Sequence, residues 1–254
     1  MRIVTYNIHR SRGMDGRVRP ERIVDVLREI GGDVIALQEV VSIAGSSPKL
    51  DQARFFADEL GMHLALGFVR MFRGGDYGNV VLSRFPLRNS GCYDLSVPRR
   101  EKRGCLRVDV ELSEERVLHV FNIHLGTAYL ERRRQGRKIV AARIIDGDDL
   151  FGPRVVLGDF NEWTAGLTSR ILAARLNSVD IRTHLRRSRT YPGLFPVLHL
   201  DHIYFDDALE LEKLALHRTR AALVASDHLP LVADFRIAAL GGTGIEQRAG
   251  TETA

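Results

Sequence analysis

Apolar residues recur along the chain in two rhythms, and the alternation of those rhythms predicts its elements. Behind Pro20, Ile23, Val26, Leu27 and Ile30 fall at i, i+3, i+4, i+7, the spacing of one helical face, and Gly31-Gly32 stops the run. Val34-Ile35-Ala36-Leu37 then reads as a buried strand. Asp51 caps a short predicted helix through Phe55 and Leu60, which Gly61 ends. From about Leu64 to Phe121 the pattern is mostly strands, parted by Gly74-Gly75-Asp76, Phe85-Pro86 and Glu114-Glu115. A helix over roughly 130–146 follows, then a buried strand Val155-Val156-Leu157 and a helix over about 167–176. The end returns to strands near 200–205, 210–216 and 230–236. Residues 239–254 have no apolar period and read as a flexible tail, which leaves 1–238 as a single domain.

Strands outnumber helices and short turns join many of them, so mixed or antiparallel sheets covered by helices are favoured over a parallel βαβ array. Neither a G-x-G-x-x-G nor a Walker spacing surrounds any glycine pair. A length of 254 residues suits one large domain, and 44% hydrophobic with 27% charged residues excludes disordered and fibrous classes. No run approaches the ~18 apolar residues of a membrane span. Met1 leads straight into Arg2-Ile3-Val4-Thr5-Tyr6 with no charged-then-apolar leader, the pattern expected of a cytoplasmic chain. Two cysteines, Cys92 and Cys105, cannot build a disulfide framework and read as thiols of a reducing compartment. Net charge is +5, with Arg supplying 33 of 37 basic residues and Lys 4. Such a field would help any polyanion approach, whether nucleic acid, phospholipid headgroup or phosphorylated metabolite, and does not choose among them.

Polar residues cluster at the ends of the most apolar strands. Asn7 ends the first, Glu39 follows Val34–Gln38, Asn122 and His124 follow Val117–Phe121, and Asp159 and Asn161 follow Val155–Gly158. Asp201 opens Ile203-Tyr204-Phe205, and Ser226-Asp227-His228 precedes Leu229-Pro230-Leu231. Six such clusters at successive strand ends read as one site at one rim of a sheet. Their Asn, Asp and Glu oxygens are hard ligands suited to Mg²⁺ or Mn²⁺. His124 and His228 lack the spacing of a zinc site. Carboxylates, amides and two histidines, with no nucleophilic Ser or Cys elbow, point to attack of water on phosphorus.

Thr5-Tyr6-Asn7-Ile8, Leu37-Gln38-Glu39-Val40, Tyr77-Gly78-Asn79 through Arg84, Phe121-Asn122-Ile123-His124-Leu125, Gly158-Asp159-Phe160-Asn161, Leu200-Asp201-His202-Ile203 and Ser226-Asp227-His228-Leu229-Pro230 stand in one order along the chain. Together they resemble the signatures of the endonuclease/exonuclease/phosphatase superfamily across residues 1 to about 236. The resemblance implies a four-layered α/β sandwich of two mixed sheets, with the site at the sheet rim. It implies that Glu39 and Asn7 hold the catalytic divalent cation, with Asp227 reaching it directly or through water. Asp159 would orient or deprotonate the attacking water, and Asn161 would help position it. His228, paired with Asp201, and His124 would contact the phosphate. Asn79 and Asn122 would be supporting polar groups near the substrate.

The chain departs from that pattern at two places. His9 stands where some members carry Asp, so it either touches a phosphate or sits at the rim. The Tyr-x-x-Asn signature of abasic-site endonucleases is absent after the middle strand. Arg103 either faces the phosphate or belongs to a solvated basic turn, and Arg132-Arg133-Arg134 reads as a solvated helix face. Arg182–Arg189 and Tyr191–Pro196, in the long segment 177–199, stand as substrate-choosing or merely packed elements. The expected activity is Mg²⁺-dependent phosphoester hydrolysis, foremost of a phosphodiester, on a phospholipid-derived, membrane-surface or small substrate. A nuclease acting on DNA or RNA without sequence preference is the alternative, and a binding module that lost its chemistry a remote one. The sequence leaves the oligomeric state open.

Overall fold

The strand-rich pattern resolves, in a computed structural model, into two mixed sheets packed face to face, with helices on both outer surfaces. The structure describes residues 1–162, 164, 166–178, 190–192 and 198–237. The first sheet contains β1 (Arg2–Asn7), β2 (Val34–Ser42), β3 (His63–Phe72), β4 (Gly75–Ser83), β11 (Leu209–Leu216) and β12 (Leu231–Ile237), in the order β11-β12-β1-β2-β4-β3. The second contains β5 (Leu87–Asp94), β6 (Gly104–Ser113), β7 (Arg116–His124), β8 (Arg154–Asp159), β9 (Asn177–Ser178) and β10 (Asp201–Phe205), in the order β5-β6-β7-β8-β10-β9. Among the described residues, only β1–β2 and β7–β8 pair in parallel.

Burial explains why the central strands read as unbroken apolar runs. Val34 and Ala36 face the core between the sheets, whereas their neighbours Ile35 and Leu37 face the helices α1 (Pro20–Ile30), α2 (Gln52–Leu60) and α5 (Arg220–Ala225). In β7, Leu118 and Val120 enter the same inter-sheet core, while Phe121 and Ile123 pack toward α3 (Tyr129–Ala141) and α4 (Leu167–Ala173). A strand covered on both faces has no need of polar alternation. Each such Leu, Ile or Phe contributes ~1.5–3 kcal/mol by leaving water. Four layers follow, as expected.

Local signals set the helix ends. Pro20 occupies the first turn of α1, and Gly31 closes it at φ 64° with its N–H on the Leu27 carbonyl. Asp51 occupies the N-cap position of α2 without capping it, since its carboxylate accepts from the Gly45 N–H instead. Two helices are shorter than predicted, α3 ending at Ala141 and α4 at Ala173. Ile144 and Ile145 extended the apolar pattern of α3 because both are buried, from an irregular turn beyond its end. Among the described residues, no helix is long and apolar enough to cross a membrane. The tail expected over 239–254 lies outside the described residues.

Candidate functional site

Strand register assembles the polar residues around Asp159. The parallel pairing of β7 and β8 sets His124 beside Asp159, and the antiparallel pairing of β8 and β10 sets Asp201 on its other side. Gly158 permits that approach: its φ is 142°, and a Cβ there would collide with the Ile123 carbonyl. From the first sheet, the Asn7 amide donates across the seam to Asp159 Oδ2 at 2.9 Å. Glu39 does not end its strand as expected. It lies inside β2 at a register shift between Leu37 and Val40, with φ 60°, and this bulge leaves its carboxylate half-buried at the rim. The Ser226 hydroxyl donates to the Asn7 carbonyl at 2.8 Å, tying the segment of Asp227 and His228 to the end of β1. Asn161, at φ 50°, donates its backbone N–H to Asp159 Oδ1 and its side-chain amide to the Leu125 carbonyl.

Asp159 therefore stands between two buried imidazoles, His124 Nε2 and His228 Nε2, each 3.6 Å from Oδ2. The two rings carry different charge. Burial favours a neutral ring at His228, but Asp201, whose Oδ2 lies 2.9 Å from Nδ1, and Asp159 outweigh it and raise its pKa to about 10. At His124 burial acts alongside the positive fields of Arg103, His228 and Arg70, and the pKa falls well below the ordinary histidine value. Proximity to a carboxylate does not make this second histidine a cation. Burial raises Asp159 itself to about 6, against the lowering effect of His228. The carboxylate is thus poised as a proton acceptor near neutral pH.

The oxygens available to a cation are few and of one kind. Glu39 and Asp227 expose 20% and 25% of their side chains, and the Asn7 side-chain nitrogen donates to Glu39 Oε1 at 3.4 Å while its oxygen accepts from the His9 N–H at 3.0 Å. Among the described residues, no three His, Cys, Asp or Glu side chains converge as a cage. An open set of hard oxygens fits Mg²⁺, which keeps several waters and takes one or two carboxylates. It does not fit a closed nitrogen or sulfur site.

Three residues expected near the substrate have other partners. Asn122 is wholly buried: its amide donates to the Leu37 and Val80 carbonyls at 2.9 Å and its oxygen accepts from Gln38 at 2.8 Å. Asn79 donates to the Gly104 and Asn122 carbonyls. Both staple one sheet to the other, which corrects their assignment as substrate contacts. Arg103 is 5% exposed, donates to the Leu125 carbonyl and pairs with Glu101 at 2.8 Å. It is neither a solvated turn nor a free phosphate ligand, and it reaches the site through its field on His124. Arg132 also turns inward, donating to the Gly126 carbonyl at 3.3 Å, and only Arg133 and Arg134 form the expected solvated face.

His9 lies at the rim, its Nδ1 3.3 Å from Asp227 Oδ2. Three residues emerge only from the structure: Gln38 in the inter-sheet staple, Arg70 in the field on His124, and Ser226 as the tie between β1 and the His228 segment. Gln38 and Ser226 lie inside the conspicuous motifs, whereas nothing in sequence marks Arg70. The Tyr191 ring packs against His228, with ring centres 4.9 Å apart. Trp163, the Arg182–Arg189 cluster and residues 193–197 lie outside the described residues.

The sequence model of the Endonuclease/Exonuclease/phosphatase family matches residues 4–228. The uncharacterized protein YbhP of Escherichia coli (strain K12) is 32% identical over 249 residues, covering 93% of this chain and 96% of that protein. Among solved structures, the mannosyl-6-phosphatase Bt3783 of Bacteroides thetaiotaomicron superposes with a TM-score of 0.73 at 15% identity, over 93% of this chain and 100% of that one. The human Nocturnin catalytic domain, with bound sulfate, superposes with a TM-score of 0.70 at 20% identity, over 94% of each chain. These structures share the fold, and the sequence match carries the kinship. The chain belongs to the endonuclease/exonuclease/phosphatase family, whose common chemistry is the hydrolysis of phosphoesters.

Proposed function

We propose that the chain is a divalent-cation-dependent phosphodiesterase that uses Mg²⁺, with Mn²⁺ as a substitute, on a phospholipid-derived or small phosphoester. The observation that carries this reading is the Asp159 carboxylate, poised near neutrality between a neutral His124 and a protonated His228. Glu39 and Asn7, with Asp227 beside them, would hold the cation. Bound there, it would polarise the phosphoryl oxygen and draw off charge as that charge develops. Asp159 takes the proton of the attacking water as the new P–O bond forms. The bond to the leaving oxygen then breaks, and that oxygen takes its proton from solvent. His228 offers its charge to the phosphoryl oxygens while Asp201 fixes its ring. Asn161 holds the Asp159 side chain in line from the backbone.

The test is hydrolysis of bis-(p-nitrophenyl) phosphate and p-nitrophenyl phosphate with Mg²⁺, Mn²⁺ or EDTA, beside nicking of a supercoiled plasmid. Asp159→Asn and His228→Ala run alongside the wild type. Each is expected to lose about 10² to 10⁴ in rate, the span of one positioned proton-transfer group. Preference for the diester supports the reading, and preference for the monoester replaces it with a phosphatase. Plasmid nicking that outpaces both small esters moves the assignment to the nuclease alternative. Undiminished turnover by Asp159→Asn removes the role given to that carboxylate.

A further inference from the structure

Beside the rim lies a cavity of about 240 Å³ with two kinds of wall. Arg10, Arg12, Lys49 and Arg73 line it, and no Asp or Glu does so among the described residues. In a chain with 37 basic and 32 acidic residues, that local excess makes a site for anions. The rest of the wall is apolar. Leu50 and Val18 expose 45% and 38% of their surface at it, and Ile43 and Phe72 complete the lining. Arg10 and Arg73 stand 5.3 and 5.5 Å from the centre of the Phe72 ring, so guanidinium charge lies directly on the aromatic wall.

The cavity adjoins the catalytic rim. Arg10 Nε is 3.8 Å from Glu39 Oε2, and Val41, two residues beyond Glu39 on β2, lines the cavity. A phosphate near Glu39 and Asp159 would leave one of its substituents at the cavity mouth. An inorganic ion or a sugar would leave the aliphatic wall wet, whereas an apolar substituent would dry it. The volume admits a single ring or a short acyl stretch, below the ~300–1,000 Å³ of sites that enclose a drug-sized ligand.

We propose that this cavity holds the apolar part of the substrate, which is a phosphoester bearing a compact acyl or aromatic group next to its phosphate. The inference rests on the phosphodiesterase reading and narrows its substrate. Two sources share this chemistry, a lipid phosphate and a nucleotide, and the experiment separates them.

The full chain, in EDTA, is titrated calorimetrically with dihexanoyl phosphatidic acid, adenosine monophosphate and glycerol phosphate. One of the first two is expected to bind about tenfold or more tightly than glycerol phosphate, the preference that a modest apolar contact supplies. The better ligand names the source. Leu50→Asp, at a half-exposed position the fold tolerates, should abolish the preference. Phe151→Asp, at a surface position more exposed than Leu50 and preceding β8 at the end opposite Asp159, should keep it. Reversing both Arg12→Glu and Lys49→Glu should weaken all three ligands. Equal affinities, a preference that survives Leu50→Asp, or indifference to the charge reversal overturns the proposal. Hydrolysis of bis-(p-nitrophenyl) phosphate by the wild type tells the two failures apart. Turnover without selective binding sinks the cavity assignment alone. Selective binding without turnover of any ester sinks the hydrolase reading, and with it the cavity's role as a substrate site.

Discussion

Two histidines within the same distance of one carboxylate oxygen differ in charge, one protonated and one neutral, because their second neighbours differ. His228 faces Asp201, whereas His124 faces Arg103 and Arg70. The pH profile follows from the signs. Asp159 is raised to about 6, so its proton-accepting form is lost as pH falls through that value. His228 is raised to about 10, so its charge, and the stability it gains from Asp201, persist below its ordinary pKa and fade as pH rises through about 10. Activity should therefore plateau between those limits, and a cation held by Glu39 and Asn7 should move the acid limb lower. Because His228 lowers the pKa of Asp159, the residual activity of His228→Ala should show its acid limb at higher pH than wild type. An acid limb that stays in place disconnects the two groups. Asn122 makes the complementary case for structure. Asn122→Leu takes the side-chain donor from the buried Leu37 and Val80 carbonyls, a loss of about 2–5 kcal/mol for groups of this kind, whereas the Gln38 amide keeps Thr5 and Ala36 as acceptors. Denaturant unfolding measures it, and a near-neutral result would mean the seam repacks without its staple.

At the scale of elements, the site is made by places where regular structure is broken. His9, Arg10 and Ser11 run consecutively at φ 44°, 58° and 58°, Glu39 interrupts β2 at φ 60°, and Asn161 follows β8 at φ 50°. None is glycine, and each left-handed residue of this kind costs about 1–2 kcal/mol. The turn of residues 9–11 brings His9 against Asp227 and Arg10 against Glu39, so strain in the backbone is exchanged for placement of charge. Ser11 is the member whose side chain does least, being buried with a hydroxyl that finds no partner. Ser11→Gly should raise stability by about 0.5–1 kcal/mol, the relief of φ strain less the added freedom of the unfolded chain. A lowered Tm would mean the turn is not strained. Gly158 is the reverse case. Gly158→Ala forces a Cβ against the Ile123 carbonyl and should part β7 from β8 beside Asp159, lowering Tm and activity together.

Across the whole molecule, what sequence made legible was what depends on neighbours in the chain. The double-sided burial of β1, β2, β7 and β8 appeared as continuous apolar runs, and Asn7, His124, Asp159, Asp201 and His228 stood out as polar residues punctuating them. What stayed hidden depends on the pairing of distant segments. Asn122 looked like a substrate group because its partners, Leu37 and Val80, belong to the opposite sheet. Arg103 and Arg132 looked solvated because nothing local announces the carbonyls that receive them. The bulge at Glu39 carries no glycine to mark it. Asn122 lies in the seam between the sheets and the Glu39 bulge at its rim, where the candidate cation oxygens also lie: Asn7 on β1, Glu39 on β2, and Asp227 before β12. A cation bound there ties together three neighbouring strands of the first sheet that lie far apart in sequence, and it can bind only where that sheet is folded. It should therefore stabilise the whole sandwich, by about 2.7 kcal/mol at a hundredfold excess over its Kd. For a chain of this size that corresponds to a Tm rise of roughly 5–10 °C in Mg²⁺ over EDTA. Glu39→Gln removes the more central of the two rim carboxylates, yet keeps the shape of the side chain and its hydrogen-bonding reach to Asn7. The metal-free Tm of the variant should match wild type and its Mg²⁺ response should vanish. An undiminished response would place the cation away from Glu39, and no response in wild type would remove the cation from the rim.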